Sequence, residues 1–547
     1  MFIDTRQFDD GARIHTEICV VGAGAAGITL ASEFEKYGIT TCLIESGGFK
    51  PDAATRDLYR GESIGLPYHF ADNCRSRYFG GSSNCWGGWC RPLEEHDFEE
   101  RAWVPNSGWP FGKSTLDPYY ERALDILKIG PNEFTLGFWV NAIARSDVRP
   151  IPLDPTRVIS SICQLSPPVR FGRAYRDTLR QAARVSVYLH ANVTDIDIGT
   201  DGVVSSVKVA TLTGKSARVS AQIFILAAGG IENARLLLCA NKNQPNGIGN
   251  ENDIVGRYFM DHPRLYTGNV YFRKDWSRSI LYDMRYSHHE ALAAHGTHVI
   301  GQFTLSAEQQ AKERLLNARV CFSSAVHARI NPQIALALIR LKNRFGSHAD
   351  SDSSLAEDLL AVAANPIGAV ECIATRYFFS QSLHKFSRFQ IIAEPQPDPQ
   401  SRVMLANERD QLGLPRVKID WRLGPQVERT FNRTIAIIAD ELMRQDIADV
   451  ELDPPIQDGD WPDTFEQEGT WHHMGTTRMH SSPKLGVVDK DCLVHGTSNL
   501  YIAGSSVFPT AGSNFPTITI IALALRLAEQ ANKALKSRAA IIVKTQS

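Results

Sequence analysis

Apolar residues fall in short unbroken runs near both ends of the chain, and several of these runs end abruptly in glycine. Glu17 to Val21 is such a run and leads straight into Gly22-Ala23-Gly24-Ala25-Ala26-Gly27, after which Ile28 to Tyr37 has helical composition. The order predicts strand, glycine turn and helix. A second run, Thr40 to Ile44, predicts a neighbouring strand and ends in Glu45. Alternating patterns around Val187 to Ile198 and Val203 to Leu212 predict further strands. Ala221 to Leu226 then enters Ala227-Ala228-Gly229-Gly230 and a helix from Ile231 to Cys239, and Asn499 to Gly504 repeats the strand and turn ahead of a helix from Ile518 to Leu535.

Between roughly 263 and 460 the pattern changes. Strand-like pieces at Val299 to Thr304, Arg319 to Ser324, Phe389 to Glu394, Arg402 to Leu405 and Arg416 to Asp420 mingle with helical stretches near 333 to 345 and 425 to 444. An antiparallel sheet with flanking helices is expected there, with loops at 345 to 358 and 395 to 402. The fold class is therefore α/β, a Rossmann-type domain in two pieces (1–262 and 465–547) plus a substrate domain (263–464). Its length of 547 residues, too long for one core, agrees with two domains. From about 60 to 130 the chain is rich in Gly, Trp, Ser and Pro, and the run Arg77 to Cys90 suits neither helix nor sheet. It predicts a covering loop, or an irregular loop packed on the core.

Composition removes several classes of function. A net charge of -2 with 22% charged residues offers no basic excess for nucleic acid. The ten cysteines have neither zinc nor iron–sulfur spacing, so no metal and no disulfide framework are expected. No run supplies the roughly 20 apolar residues of a membrane span, and no secretory pattern is visible at the start. The expected location is cytoplasmic.

The first glycine unit has chemical content. Gly22 permits the tight turn, Gly24 lets a pyrophosphate approach the backbone, and Gly27 lets the helix pack closely. The helix N-terminus offers free N–H groups to the anion. Glu45 lies at about the distance, roughly 20 residues beyond the glycines, where a ribose-binding acid belongs. Dinucleotide binding is expected; the same sequence with no ligand would be a tight structural turn.

The C-terminal stretch carries a second set of candidates, Trp471-His472-His473-Met474-Gly475-Thr476 and Ser505 through Asn514-Phe515-Pro516-Thr517. Together with the first glycine unit, the Gly80-Gly81-Ser82-Ser83 loop and the Ala227 to Gly230 turn, this block resembles the glucose-methanol-choline family of oxidoreductases. The likeness covers both ends, about half of the chain, and leaves 263 to 395 unmatched. It implies one FAD, with Gly22, Gly24, Gly27, Glu45 and Ser46 at the adenine end and the backbone of Val193 at the adenine. It further implies Gly81, Ser82, Asn84, Cys85, Ala228, Gly229, Gly504, Ser505, Phe515, Pro516 and Thr517 around the rest. His472, three residues before Gly475, is implied as the catalytic base, with His473 as competitor. The family's second catalytic position is an Asn or His directly before Pro-Thr; here Phe515 stands there and Asn514 lies one earlier, so Asn514 is assigned the role with a shifted turn. Relatives that tether FAD use a His in the glycine-rich loop, and this loop has Asn84 and Cys85 instead, so non-covalent FAD is expected.

The implied reaction is oxidation of an alcohol CH–OH, of a sugar, polyol or other alcohol. Neutral imidazole is suited to take the hydroxyl proton, an amide to steady the oxygen, and flavin N5 to receive the hydride. Dioxygen, a quinone or a partner protein would then take the electrons. Two alternatives share some of these motifs: a non-redox or light-driven member of the same fold, such as a cyanohydrin lyase or fatty-acid photodecarboxylase, and an NAD-dependent dehydrogenase. His262 and His495 are read as structural, and Trp86, Trp89, Trp103 and Trp109 either as substrate contacts or as the core of the covering loop.

Overall fold

The computed structural model describes residues 1–68, 75–273, 280–325, 355–377, 386–462 and 470–546, together with 334, 337, 338 and 341. Two eight-stranded sheets and a three-stranded one organise them.

The first sheet runs Phe2–Asp4, Val185–Leu189, Thr41–Ile44, Ala12–Val21, Ser216–Leu226, Val204–Ala210, Asn192–Ile198, with Leu500–Ile502 also pairing to Ser216–Leu226. Its centre is parallel, and Ile18 to Val21, Thr41–Ile44 and Ile223 to Leu226 are unbroken buried runs because helices or loops cover both faces there. Ser216–Leu226 pairs with Val204–Ala210 antiparallel along its first half and with Leu500–Ile502 parallel along its last three residues. Val21, Ile44, Leu226 and Ile502 fall in one row across four strands. The turns that follow, at Gly22, Glu45, Ala227 and Gly504, therefore leave from one edge, the carboxyl edge at which open α/β sheets bind ligands. The helices Ala25–Lys36 and Thr517–Gln546 pack on each other against this sheet, and Asp117–Leu127 packs on the latter.

The second sheet is antiparallel and runs Ala448–Glu451, Arg264–Phe272, Phe386–Ala393, Ala318–Ala325, Thr297–Leu305, Val158–Leu165, Trp89–Cys90, with Ala293–Ala294 added to Thr297–Leu305. Helix Pro425–Arg444 covers it with Val427, Phe431, Ile435, Ile438 and Leu442, one apolar stripe at helical spacing. Arg402–Arg409, Pro415–Asp420 and Gly61–Ser63 form the small third sheet.

Several expectations need adjustment. Trp89–Cys90, inside the run read as neither helix nor sheet, adds a strand to the second sheet, and so does Val158–Leu165 from the stretch assigned to the first domain. Asp117–Leu127 is a helix, started by Pro118 near its first turn. Leu355–Ala364 is a helix where a loop was expected to reach 358. Most of the helix expected at 333 to 345 lies outside the described residues. The last helix runs on to Gln546.

Candidate active site

A cavity of about 450 Å³ opens where the carboxyl edge of the first sheet meets the face of the second. That size is within the range of small-molecule and cofactor pockets. Glycines shape its narrow end. Gly22 has φ +107°, and a Cβ there would stand 2.6 Å from the carbonyl oxygen of Ala227, so the first and second glycine turns lie against each other. Gly81, at φ +53°, presses the covering loop onto Gly24, where a Cβ would come within 2.8 Å of its Cα. Gly229 and Gly504 differ: both line the cavity at positive φ, and nothing lies within 4 Å of a Cβ built on either. Their missing side chains leave room for a ligand.

Glu45 is buried and accepts hydrogen bonds from the backbone N–H of Ala23 (3.1 Å) and of Gly47 (2.9 Å). Burial pushes its carboxyl above the usual carboxylate range. Ser46 and Val193 stand beside it on the wall. At the far end, Pro516 and Thr517 bring the N-terminus of the last helix to the cavity, with its first N–H groups unused by the helix.

His472 and His473 line the wall between these ends. Trp471 has φ +56°, a conformation few non-glycine residues adopt, and this turn carries the His472 N–H to Asp261 Oδ1 at 2.7 Å. Thr470 Oγ1 donates to the same oxygen at 2.8 Å, and Tyr68 donates to the other at 2.7 Å. With three donors Asp261 is organised as a carboxylate, although burial raises its pKa to about 6.

The side chain of His472 meets that of His262, Nδ1 to Nδ1, at 2.9 Å, and His262 Nε2 lies 2.7 Å from the Gly512 carbonyl. A carbonyl only accepts, so His262 donates from Nε2 and its Nδ1 carries a lone pair. His262 is wholly buried, and burial lowers its pKa to about 4, which keeps it neutral. His472 must then donate from Nδ1 and hold its own lone pair on Nε2, which has no hydrogen-bond partner among the described residues. Burial first, and then the neighbouring His262, Arg319, His473 and Arg264, which disfavour a further positive charge, hold the His472 pKa well below the ordinary 6.5. The arrangement presents a neutral imidazole nitrogen to the cavity in one tautomer.

Comparison with known proteins narrows this description. A family model described as GMC oxidoreductase matches residues 397–524, which include His472, His473 and the turn before the last helix. Paromamine 6'-oxidase of Streptomyces fradiae is 24% identical over 95% of this chain and 92% of its own. The fructose dehydrogenase large subunit of Gluconobacter japonicus is 25% identical, but over 58% of this chain and only 48% of its own length. Among solved structures, pyridoxine 4-oxidase from Mesorbium loti superposes with a TM-score of 0.54 over 94% of this chain and 99% of that one, at 17% identity. Its C-terminal segment matches the GMC oxidoreductases.

The FAD that this family implies fits the residues present: the glycine turns, buried Glu45, the open space at Gly229 and Gly504 and the free helix N-terminus are the parts such a cofactor needs. Of the sequence-predicted residues, Gly22, Gly24, Glu45, Ser46, Gly81, Ser82, Cys85, Val193, Ala228, Gly229, His472, His473, Gly504, Ser505, Phe515, Pro516 and Thr517 all line this cavity. Gly27 does not; a Cβ there would strike the Gly22 carbonyl, so its part is the close packing of helix on turn. Asn84 is turned away, donating to the Phe79 carbonyl at 3.1 Å.

Asn514 is also not brought to the cavity. Its Nδ2 donates to the Pro92 carbonyl at 3.0 Å and its Oδ1 accepts from Gln302 at 3.3 Å, while Phe515 takes the wall position, edge-on to His472. Trp86 and Trp89 line the cavity, whereas Trp109 packs with Phe98 and Phe508 and Trp103 bonds to the Leu315 carbonyl. His495 lies 2.9 Å from the His480 carbonyl, a structural contact. His262, which the sequence reading took as structural, meets the side chain of His472. Tyr59, Arg75, Arg77 and Glu232 are further cavity residues that no motif marked.

Proposed function

We propose that this protein oxidises the CH–OH group of an alcohol with FAD as hydride acceptor. The observation that carries the reading is the hydrogen-bonded pair His262–His472, which leaves an unprotonated nitrogen on the cavity wall. His472 Nε2 takes the hydroxyl proton as the hydride leaves the same carbon, and His473 beside it orients the substrate. A positioned base contributes roughly 10² to 10⁴ in rate. When bound, FAD supplies the acceptor for the hydride at N5. The chain holds it without a covalent link, since the Gly80 to Cys85 loop has no histidine. Sugar-like alcohols are the first substrates to try, because two of the relatives carry fructose and paromamine in their names. The electrons pass on to dioxygen, a quinone or a partner protein. Residues 1–262 with 465–547 would bind the cofactor and 263–464 the substrate, with the Val158–Leu165 strand joining the latter.

The test is the visible spectrum of the purified protein under anaerobic addition of sugars and other alcohols. Flavin bands that bleach with one compound support the reading; a protein that takes up no flavin on reconstitution overturns it. In His472→Ala, flavin should stay bound while its reduction slows by at least about a hundredfold. Near-normal reduction there would move the base to His473.

A further inference from the structure

The wall that the antiparallel sheet gives to the cavity carries positive charge that no carboxylate among the described residues neutralises. Arg264, on the Arg264–Phe272 strand, and Arg319, on Ala318–Ala325, are both registered opposite Ile392 of the strand between them. Residues directly opposite one another share a face of a sheet, so the two arginines stand on one face, two strands or about 10 Å apart. Gln390 occupies the next row of that face, and all four side chains line the cavity.

Neither arginine meets a carboxylate among the described residues. Arg319 is only 2% exposed; its Nε donates to the Ser513 carbonyl at 2.8 Å, and its guanidinium lies 3.6 Å from the centre of the Phe515 ring. The same ring meets His472 edge-on, with centroids 5.6 Å apart, so the cation stands one ring away from the base. The Nε of Arg264 is buried with no hydrogen-bond partner among the described residues. Several other buried or half-buried arginines are given acids: Arg75 and Arg77 share Glu232, Arg101 has both oxygens of Glu394, and Arg235 has Asp410, whereas Arg478 is held by the Leu485 and Asn106 carbonyls. Two cations on one cavity wall, with no acid among the described residues, are unfavourable unless an anion arrives from outside.

We infer that Arg264 and Arg319 form an anion-holding subsite, and that the substrate is an alcohol carrying an anionic oxygen group, a carboxylate or a phosphate ester. This rests on the alcohol oxidation proposed above and narrows its substrate class. The guanidinium fork matches either group with paired N–H donors. With the anion on the arginines, the alcohol carbon is turned toward His472 across the Phe515 ring, and neutral sugars of the same shape lose both anchorage and orientation.

The experiment has two arms, both on the flavin-loaded protein. In the first, the oxidised enzyme is titrated with malonate and with inorganic phosphate, which it has no means to oxidise, while flavin absorption is followed. A saturable shift is expected, weakened at least tenfold in R319M and in R264M. Absence of any shift, or equal affinity in the variants, overturns the subsite whatever becomes of the oxidation. In the second arm, flavin reduction is measured with matched sets: glucose, gluconate, glucuronate and glucose 6-phosphate; glycerol, glycerate and glycerol 3-phosphate. The anionic members of one set should be preferred by about a hundredfold in kcat/KM, with carboxylate and phosphate distinguished by which of them leads. R319M should raise KM for the anionic member far more than it lowers kcat, and leave the ratio between neutral members unaffected. Equal rates for neutral and anionic members, or equal damage to both in R319M, overturn the proposal. Anion binding in the first arm with no reduction by any compound in the second would keep the subsite and count against the oxidation.

Discussion

A single proton decides which nitrogen does chemistry in the His262–His472 pair, and 210 positions of sequence separate its two holders. Removing His262 frees the imidazole of His472 to rotate and to change tautomer. His262→Ala should therefore keep its flavin yet reduce it about 10- to 100-fold more slowly, a loss smaller than that of removing the base itself. The pH profile provides a second check. The base must be neutral to act, and its pKa lies well below 6.5, so kcat/KM should stay level through pH 6.5 on the acid side and fall only at lower pH. The facing groups are His262, His473, Arg264, Arg319 and Asp261; an inflection at 6.5 or above would contradict the buried, positively surrounded site. Asn514 teaches the reverse lesson. The motif placed it near the turn, but its amide is bonded to Pro92 and Gln302, so Asn514→Ala should cost about 1 to 3 kcal/mol of stability and leave flavin reduction within a few-fold; urea unfolding and stopped-flow absorbance test the two halves. The place of His472 on the cavity wall could be anticipated because a local pattern marks it. Its contact with His262 could not, because that partner is fixed only by the tertiary fold.

At the scale of elements, the glycine turns were legible because an apolar run broken by glycine has few other solutions. The strands that were missed are instructive. Val158–Leu165 belongs to the second sheet because of its partner Thr297–Leu305, and Trp89–Cys90 because of Val158–Leu165; no local pattern says which sheet a strand will join. Arg75, Arg77 and Glu232 escaped notice for a like reason: the ion cluster binds the covering loop to the first residue of helix Glu232–Cys239, where Arg235 ties the same acid to Asp410. The surrounding arginines draw the Glu232 pKa down to about 2 despite its burial. Glu232→Ala would leave those arginines without their shared acid, and the expected loss is about 3 to 5 kcal/mol, read as a fall in the urea midpoint. In Gly22→Ala, a Cβ 2.6 Å from the Ala227 carbonyl at φ +107° would force the two turns apart, and flavin retention on gel filtration should be lost.

Across the whole molecule, three neutral histidines share one buried region, and this sets how the fold responds to acid. His262 and His473 are held to pKa values of about 4 and 3, and His472 well below 6.5. As pH falls through 6.5 the unfolded chain takes up protons that the folded one refuses, so stability is lost on the acid side, at about 1.4 kcal/mol per pH unit for each histidine. Asp261, raised to about 6, binds its proton earlier in the fold than in the unfolded chain and offsets one of these contributions below pH 6. Thermal midpoints should accordingly drop between pH 6.5 and 4; a flat profile would mean that the histidines are not buried neutral. Among the described residues, no helix is long and apolar enough to cross a membrane.

The cavity wall also has a history in time. Its residues run from Val21 to Ile520, and the row of strands behind it closes only when Leu500–Ile502 pairs with Ser216–Leu226. A ribosome making this protein must pass the start of the final helix before any flavin pocket exists, so cofactor capture is a late event and the half-made polypeptide waits with its central parallel strands lacking their last neighbour.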